Sequence, residues 1–279
     1  MGAPPPPNVL AAFGIREGAD LVPLAGGLEQ TAWRAGDVVV KPVQAGNHDE
    51  GRWLAEVLDA VVEDGFRVIK PVRADDGRWL EDGWAAWHWL DGQHARGDWA
   101  DVLESARAFH AALPVAIEKS GRDARPAWLD GRRHRWALAE ATVWHGAALP
   151  PMVNTGEVEH GLFARAVALG PPLDDASGAQ VVHGDIASNV LRMTDGSGHA
   201  FIDVSPGWRP PRSVEAQIAV EAVTWFGAPD PLLGGFAAAD LARACAFRLL
   251  CGLQASADWA AEFPGELEAW TRTLSVIGA

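Results

Sequence analysis

Residues 181–205, VVHGDIASNVLRMTDGSGHAFIDVS, set four polar side chains at the ends of apolar runs. His183-Gly184-Asp185 follows the run VV, Asn189 comes four residues after Asp185, and Asp203 closes the run AFI. Asp and Asn are common in turns, and Asp195-Gly196 is well explained that way. Asp203 is not, because it ends an apolar strand pattern. Mg²⁺ takes oxygen ligands and keeps several waters, so one carboxylate and one amide beside phosphate oxygens would suit it. A second carboxylate not committed to metal could orient and deprotonate a hydroxyl. The competing reading is a plain hairpin, with QVVH and HAFIDV as its two strands.

Working outward, the first 90 residues read mainly as strands. LVPLAGGLEQTAWRAGDVVVKPV (21–43) carries β-forming runs with turns at Gly26-Gly27 and Gly36-Asp37. A short helix is expected near Asn8 to Phe13, after four prolines. Residues 47–63 have helical spacing at Trp53, Leu54, Val57, Leu58 and Val61, with Asn47 as a candidate cap. FRVIKPV (66–72) and GWAAWHWL (83–90) are further strands. From about residue 91 the periodicity turns helical. Helices are expected over 98–113, with Asp98 as cap and His110 on the buried face, and over roughly 132–148, 157–168, 213–226, 238–254 and 258–274.

Composition narrows the function classes. Hydrophobic residues make up 48% and charged residues 22% of the 279, which is ordinary for a globular protein with a substantial core. The formal net charge of −14 argues against a nucleic-acid surface and is compatible with a cationic small molecule. No run of about 18 apolar residues exists to span a membrane. The amino-terminal stretch lacks the basic flank and apolar core of a signal peptide. Cys245 and Cys251 lie six apart in one helical pattern, where their side chains point apart, so a bridge between them is not expected. A reducing cytoplasmic setting follows. Fourteen Trp with no Tyr have no functional account beyond apolar packing.

The pattern VVHGDIASNVL…FIDVS resembles the catalytic and metal-binding segments of the aminoglycoside phosphotransferase and choline kinase-like families, small-molecule relatives of protein kinases. The upstream order is similar as well: a glycine-containing hairpin, a strand ending in Lys41, a helix with an early Glu50, then AAWHWLDG. The resemblance spans about residues 20 to 225 and is sharpest over 181–205. It implies an α+β, two-lobed protein-kinase-like fold, with a small strand-rich nucleotide-binding lobe (1–90) and a larger, mainly helical catalytic and substrate-binding lobe (91–279). It implies an ATP- and Mg²⁺-dependent transfer of the γ-phosphate to a hydroxyl of a small molecule.

The same resemblance implies residue roles. Asp185 would take or orient the proton of the attacking hydroxyl, and Asn189 and Asp203 would hold Mg²⁺. Lys41 would contact the nucleotide phosphates, held by an ion pair with Glu50. Gly26 and Gly27 would let backbone amides approach the phosphates, with Thr31 adding a hydroxyl. Adenine would meet the backbone between Trp87 and Leu90, around Trp89. His183 would orient the loop from the core.

Rivals exist at two of these positions. Lys70, in VIKPV, repeats the VVKPV pattern around Lys41, and chain order favours Lys41. Glu56 competes with Glu50. Two departures from the protein-kinase pattern are plain. The interval from Asp185 to Asn189 is four residues where protein kinases use about five, and no glycine stands two residues after Asp203.

The acceptor class stays open among aminoglycosides, amino sugars, choline-like amines and uncharged sugars. Asp258, Glu262, Glu266, Glu268, Trp208 and Arg209 are the side chains on offer, although a run of carboxylates is usually a solvated helix face. A catalytically inactive relative that binds nucleotide or a partner protein is the alternative. A metal-dependent hydrolase using His183 and Asp185 lacks the further ligand motifs it would need.

Overall fold

In the computed structural model, residues 2–24, 32–173 and 177–279 are described. The elements run α1 (Pro7–Ala12), β1 (Leu21–Pro23), β2 (Trp33–Ala35), β3 (Val38–Pro42), α2 (His48–Ala60), β4 (Arg67–Val68), β5 (Pro71–Val72), β6 (Leu80–Glu81), β7 (Trp84–His88) and β8 (Gly92–His94). Then follow α3 (Trp99–Ser120), α4 (Trp128–Gly131), α5 (Arg135–His145), α6 (Glu157–Leu169), β9 (Gln180–His183), β10 (Val190–Met193), β11 (His199–Phe201) and β12 (Pro206–Arg209). The chain closes with α7 (Pro211–Phe226), α8 (Ala238–Ala255), α9 (Trp259–Glu262) and α10 (Glu266–Ile277).

Two compact units divide the chain, and neither is continuous in sequence. The first comprises Met1–Gln93, Ala111–Trp128 and Leu191–Asp203. Its main sheet has the order β1-β2-β3-β7-β5, with β6 also paired to β7. β3 lies inside this sheet, Val40 facing Ala86 and Lys41 facing Ala85 in register. Burial along the strand does not alternate: Val39 and Val40 are both buried, Val40 fully with Val9, Phe13 and Ala86, and exposure begins at Lys41, which stays partly exposed on the face opposite Val40. α2 ends where Val61 turns extended, and Lys70 closes that end, its Nζ donating to the carbonyls of Leu58 and Val61 at 2.7 Å each. These carbonyls belong to the last turn, where no helical N–H reaches them.

The second unit comprises His94–His110, Leu129–Val190 and Val204–Ala279, and it is mainly helical. α8 runs through its middle, packed by α5, α6 and α7, and most of its side chains are buried. β9 pairs antiparallel with β12, His183 opposite Pro206 and Gln180 opposite Arg209.

Three expectations from the sequence are corrected. QVVH and HAFIDV do not form one hairpin: β9 pairs with β12, while β11 pairs in parallel with β4. Alternating apolar runs specify strands but not their partners. The helix expected to stop at Leu113 continues to Ser120, with Pro114 inside it. Proline cannot donate to the carbonyl four residues back. That carbonyl, of His110, instead accepts from Gln180 Nε2 at 2.6 Å, so the break is satisfied from β9. Finally, the last helical pattern is two helices, broken at Pro264-Gly265, where Gly265 has φ of 84°.

His110 is buried and its Nε2 accepts the His183 backbone N–H at 3.1 Å. Burial, with His183 and Arg209 adding, pushes the ring down to about 3. An unfolded histidine takes its proton near pH 6.5. Below about pH 6.5, therefore, the unfolded chain binds a proton that the folded chain refuses, and stability falls as pH drops toward 3. His110→Gln should retain an acceptor for His183 yet flatten the loss of thermal midpoint on acidification from pH 7 to 5. An unchanged slope would contradict this role for His110.

Candidate functional site

The loop from His183 to Asn189 leaves β9 under several fixed constraints in the second unit. His183 Nδ1 accepts the backbone N–H of Asp185 and of Ser205, each at 3.3 Å. The His183 ring thus ties the loop to the residue just before β12. The Gly184 carbonyl accepts from Gln217 Nε2 at 2.8 Å and from Arg209 at 3.3 Å. Asn189 closes the loop on itself: its backbone N–H reaches Ile186 O at 2.7 Å, and its Nδ2 donates to Asp185 O at 2.8 Å and Asp185 Oδ2 at 3.0 Å. The four-residue interval is therefore closed by Asn189's own side chain. With Nδ2 spent on Asp185, the amide oxygen is the atom of Asn189 suited to a hard cation.

Asp185 Oδ1 takes a hydrogen bond from Arg248 of α8. Burial pushes the Asp185 carboxyl up, but Arg248's charge and hydrogen bond, with His183 and Asn189 assisting, outweigh it and hold the group below the usual carboxylate range. Arg248 Nε in turn donates to Glu221 Oε1 of α7 at 2.5 Å, and Gln217 Nε2 reaches the same oxygen at 2.7 Å. Arg248 is almost wholly buried; its two carboxylates hold its guanidinium charged above the ordinary value against the burial. Burial pushes the Glu221 carboxyl up, while Arg248 and Gln217 pull the other way.

Beside them, Arg209 is fully buried over the Trp144 ring at 4.0 Å, with Glu140 3.9 Å away. Burial pushes it down to about 10, still charged at neutral pH. Glu140 also accepts the Trp208 N–H at 2.8 Å. None of Arg248, Glu221, Gln217 and Glu140 was singled out by motif reasoning. The signal for Arg248 was present nonetheless: a charge within CAFRLLC, an otherwise apolar run, requires a buried partner.

In the first unit, Lys41 Nζ donates to Asp203 Oδ1 at 2.6 Å across 162 residues of sequence. Asp203 has φ of 47°, the left-handed region that Asp tolerates better than most side chains and that recurs at functional sites. Glu50 sits in the first turn of α2, and Glu56 pairs with Arg122. The Trp89 N–H donates to Asp37 O at 2.8 Å, the His88 N–H to Lys70 O at 2.8 Å, and Arg34 lies 4.0 Å over the Trp89 ring. Gly26, Gly27 and Thr31 lie outside the described residues.

Among the described residues, no group of three or more His, Cys, Asp or Glu side chains could hold a metal alone. Each of Asp203 and Asn189 offers a side-chain oxygen of the kind Mg²⁺ takes, since that ion is usually bound through one or two protein oxygens plus phosphate and water.

A cleft of about 720 Å³ opens in the second unit, with Arg248 in its wall. Trp136, Trp225, Trp259 and Phe263 line it with aromatic surface, and Glu262 and Glu266 bring carboxylates. Three indoles donate to Glu266: Trp225 at 2.7 Å, Trp259 at 2.8 Å and Trp270 at 3.3 Å. Part of the chain's tryptophan is thus spent fixing one carboxylate. Gly252 of α8 makes room for the Trp259 ring, since a Cβ there would lie 2.3 Å from it.

A family model described as the phosphotransferase enzyme family matches residues 20–204. None of the curated proteins compared matches the chain in sequence. Several solved structures are similar. The aminoglycoside phosphotransferase from Alicyclobacillus acidocaldarius subsp. acidocaldarius DSM 446 is 15% identical, with a TM-score of 0.54 over 100% of this chain and 97% of that one. A microcompartment-associated aminopropanol kinase is 18% identical, with a TM-score of 0.52 over 97% and 93%. A thermostable mutant of aminoglycoside phosphotransferase APH(4)-Ia, in ternary complex with AMP-PNP and hygromycin B, is 15% identical, with a TM-score of 0.51 over 97% and 96%. At these identities the similarity is one of fold, and it is the kinase-like α+β fold expected from the sequence.

The two lysines have separable tasks. Lys70→Met removes charged donors from two helix-end carbonyls and should cost about 1–3 kcal/mol in denaturant unfolding. Lys41→Met removes an exposed ion pair and should cost less than about 1 kcal/mol. The reverse order would contradict these assignments.

Proposed function

The chain belongs to the phosphotransferase enzyme family, and from that premise we propose that it transfers the γ-phosphoryl group of ATP to a hydroxyl of a small molecule. The observation that carries this reading is the Lys41–Asp203 pair. It joins one cation and one carboxylate whose partners could be exchanged without loss of charge balance: nucleotide phosphates for the Lys41 ammonium, Mg²⁺ for the Asp203 carboxylate. Glu50, early in α2, would support Lys41, since Glu56 already has Arg122. Adenine would take backbone groups of the 87–90 segment other than the Trp89 and His88 N–H groups, which already have partners.

Asp203 and the Asn189 amide oxygen would hold the metal, which when bound neutralises the phosphate charge. Asp185 would then act on the acceptor. Its carboxylate is ionised well below neutral pH, so it is a weak base and a good hydrogen-bond acceptor for the incoming hydroxyl. That suits a loose transition state, in which positioning counts for more than early proton removal.

The aromatic cleft beside Arg248 supports an acceptor with an apolar face, and the carboxylates of Glu262 and Glu266 support a positive group on it. An amino alcohol or amino sugar satisfies both requirements. Two buried thiols, with Cys251 pushed up to about 12 by burial, suit a reducing cytoplasm.

The test is ADP formation from Mg·ATP with a panel of an aminoglycoside, an amino alcohol and a neutral sugar, with the phosphorylated product identified by mass. Asp185→Asn should lower kcat by about 10²–10⁴-fold while leaving the KM for ATP nearly unchanged. Tight Mg·ATP binding without turnover on any acceptor would favour the non-catalytic nucleotide-binding reading.

A further inference from the structure

We infer that Arg248 is a positioning residue for the transfer step: it fixes the Asp185 carboxylate, and Glu221 and Gln217 fix Arg248. This rests on the phosphotransfer reading above for its kinetic part and on geometry alone for the rest.

Asp185 has two anchors. Asn189 takes Oδ2, and Arg248 takes Oδ1. Two anchors on opposite oxygens remove the rotation about χ2 that a lone aspartate retains. Asn189 belongs to the same short loop, so on its own it would move with Asp185. Arg248 comes from the middle of α8, buried on nearly every side, and provides a fixed reference outside the loop. Its guanidinium plane is set by three further contacts: Nε on Glu221, the Trp225 ring at 5.1 Å and the Phe247 ring at 5.2 Å.

Glu221 is held in turn by Gln217, whose Nε2 also reaches the Gly184 carbonyl. The relay therefore closes on the residue next to Asp185, so that the loop backbone and the Asp185 side chain are referred to one pair of helices, α7 and α8. Arg248 also forms part of the cleft wall. An acceptor seated there would touch the guanidinium that aims Asp185, which couples occupancy of the cleft to the orientation of the carboxylate. Lysine in place of Arg248 would carry the charge but not the fork that reaches Asp185 and Glu221 together.

The geometric part is read without turnover. In full-length protein labelled with ¹³C and ¹⁵N at arginine, the Nη nitrogens of Arg248 should give separate, slowly rotating signals, assigned by Arg248→Lys. Asp185→Asn should merge or shift them. Freely rotating Nη groups in the wild type, or signals indifferent to Asp185→Asn, would overturn the inference.

The kinetic part uses ADP release from Mg·ATP with the best acceptor of the panel. Arg248→Met leaves Glu221 buried without its partner, so the double variant Arg248→Met with Glu221→Gln keeps the fold measurable. It should retain the wild-type KM for ATP and lose about 100-fold in kcat, the penalty of a misplaced reacting group. Arg248→Lys should recover little of this. Arg248→Ala should regain activity on addition of guanidinium chloride below denaturing concentrations, entering by the cleft. Loss of kcat only in proportion to unfolded protein, with no recovery by guanidinium, would make Arg248 a structural prop and overturn the inference. A wild type that makes no ADP would sink the phosphotransfer reading, and the Nη signals tell that failure apart from a missing Arg248 contact.

Discussion

A guanidinium removed from water has to be matched by carboxylates, and Arg248 is matched by two. The penalty for burying each ion is several kcal/mol, which mutual attraction offsets only where the geometry is good and the remaining polar atoms are bonded. Glu221 meets that condition through Gln217, and Asp185 through Asn189. Removing Arg248 would leave its buried carboxylate partners uncompensated, at about 3–5 kcal/mol. The triad thus ties the stability of the α7–α8 pair to the placement of one loop side chain. It also settles the state of Asp185, which stays ionised although burial alone would favour its neutral form.

The second constraint is the division of the polar motif. Asp185 and Asn189 leave β9 in the helical unit, whereas Asp203 follows β11 in the strand-rich unit. The chain passes from one to the other between Val190 and Leu191, so that all of β11 and most of β10 lie in the strand-rich unit. His183 fixes the near end by accepting two backbone N–H groups, from Asp185 and from Ser205. Asp203 ends the Leu191–Asp203 segment in a left-handed conformation with its carboxylate on Lys41. A strand lysine and a strand-end aspartate remote in sequence are brought within 2.6 Å because β3 is internal to its sheet and β11 is pinned to β4.

Much of the architecture was legible in the residues. Period-two and period-3.6 patterns located most strands and helices, and the order of glycine hairpin, lysine strand, helix and H-G-D motif carried the family resemblance. What was hidden depended on distant partners. Pro114 reads as a helix end unless Gln180 is known to satisfy the carbonyl it leaves open. QVVH and HAFIDV read as mutual partners because nothing local encodes which strand each will meet. Lys41 and Lys70 share a local pattern, and only the structure shows Lys70 closing α2. Asp185, Asn189 and Asp203 stand out in the sequence by their spacing at the ends of apolar runs. Arg248, Glu221 and Gln217 did not, because each lies in a long, mostly apolar helix and gains its meaning from α7 packing on α8.

Under the proposed function, Lys41 and Asp203 would hold a magnesium nucleotide. Thermal unfolding with and without Mg·ATP, on the wild type and on Asp203→Asn, tests it most directly. At a hundred times its dissociation constant a ligand stabilises the folded state by about 2.7 kcal/mol. The wild type should show an upward midpoint shift that requires Mg²⁺ and disappears in Asp203→Asn. No shift with any nucleotide, or an equal shift in Asp203→Asn, would contradict the account.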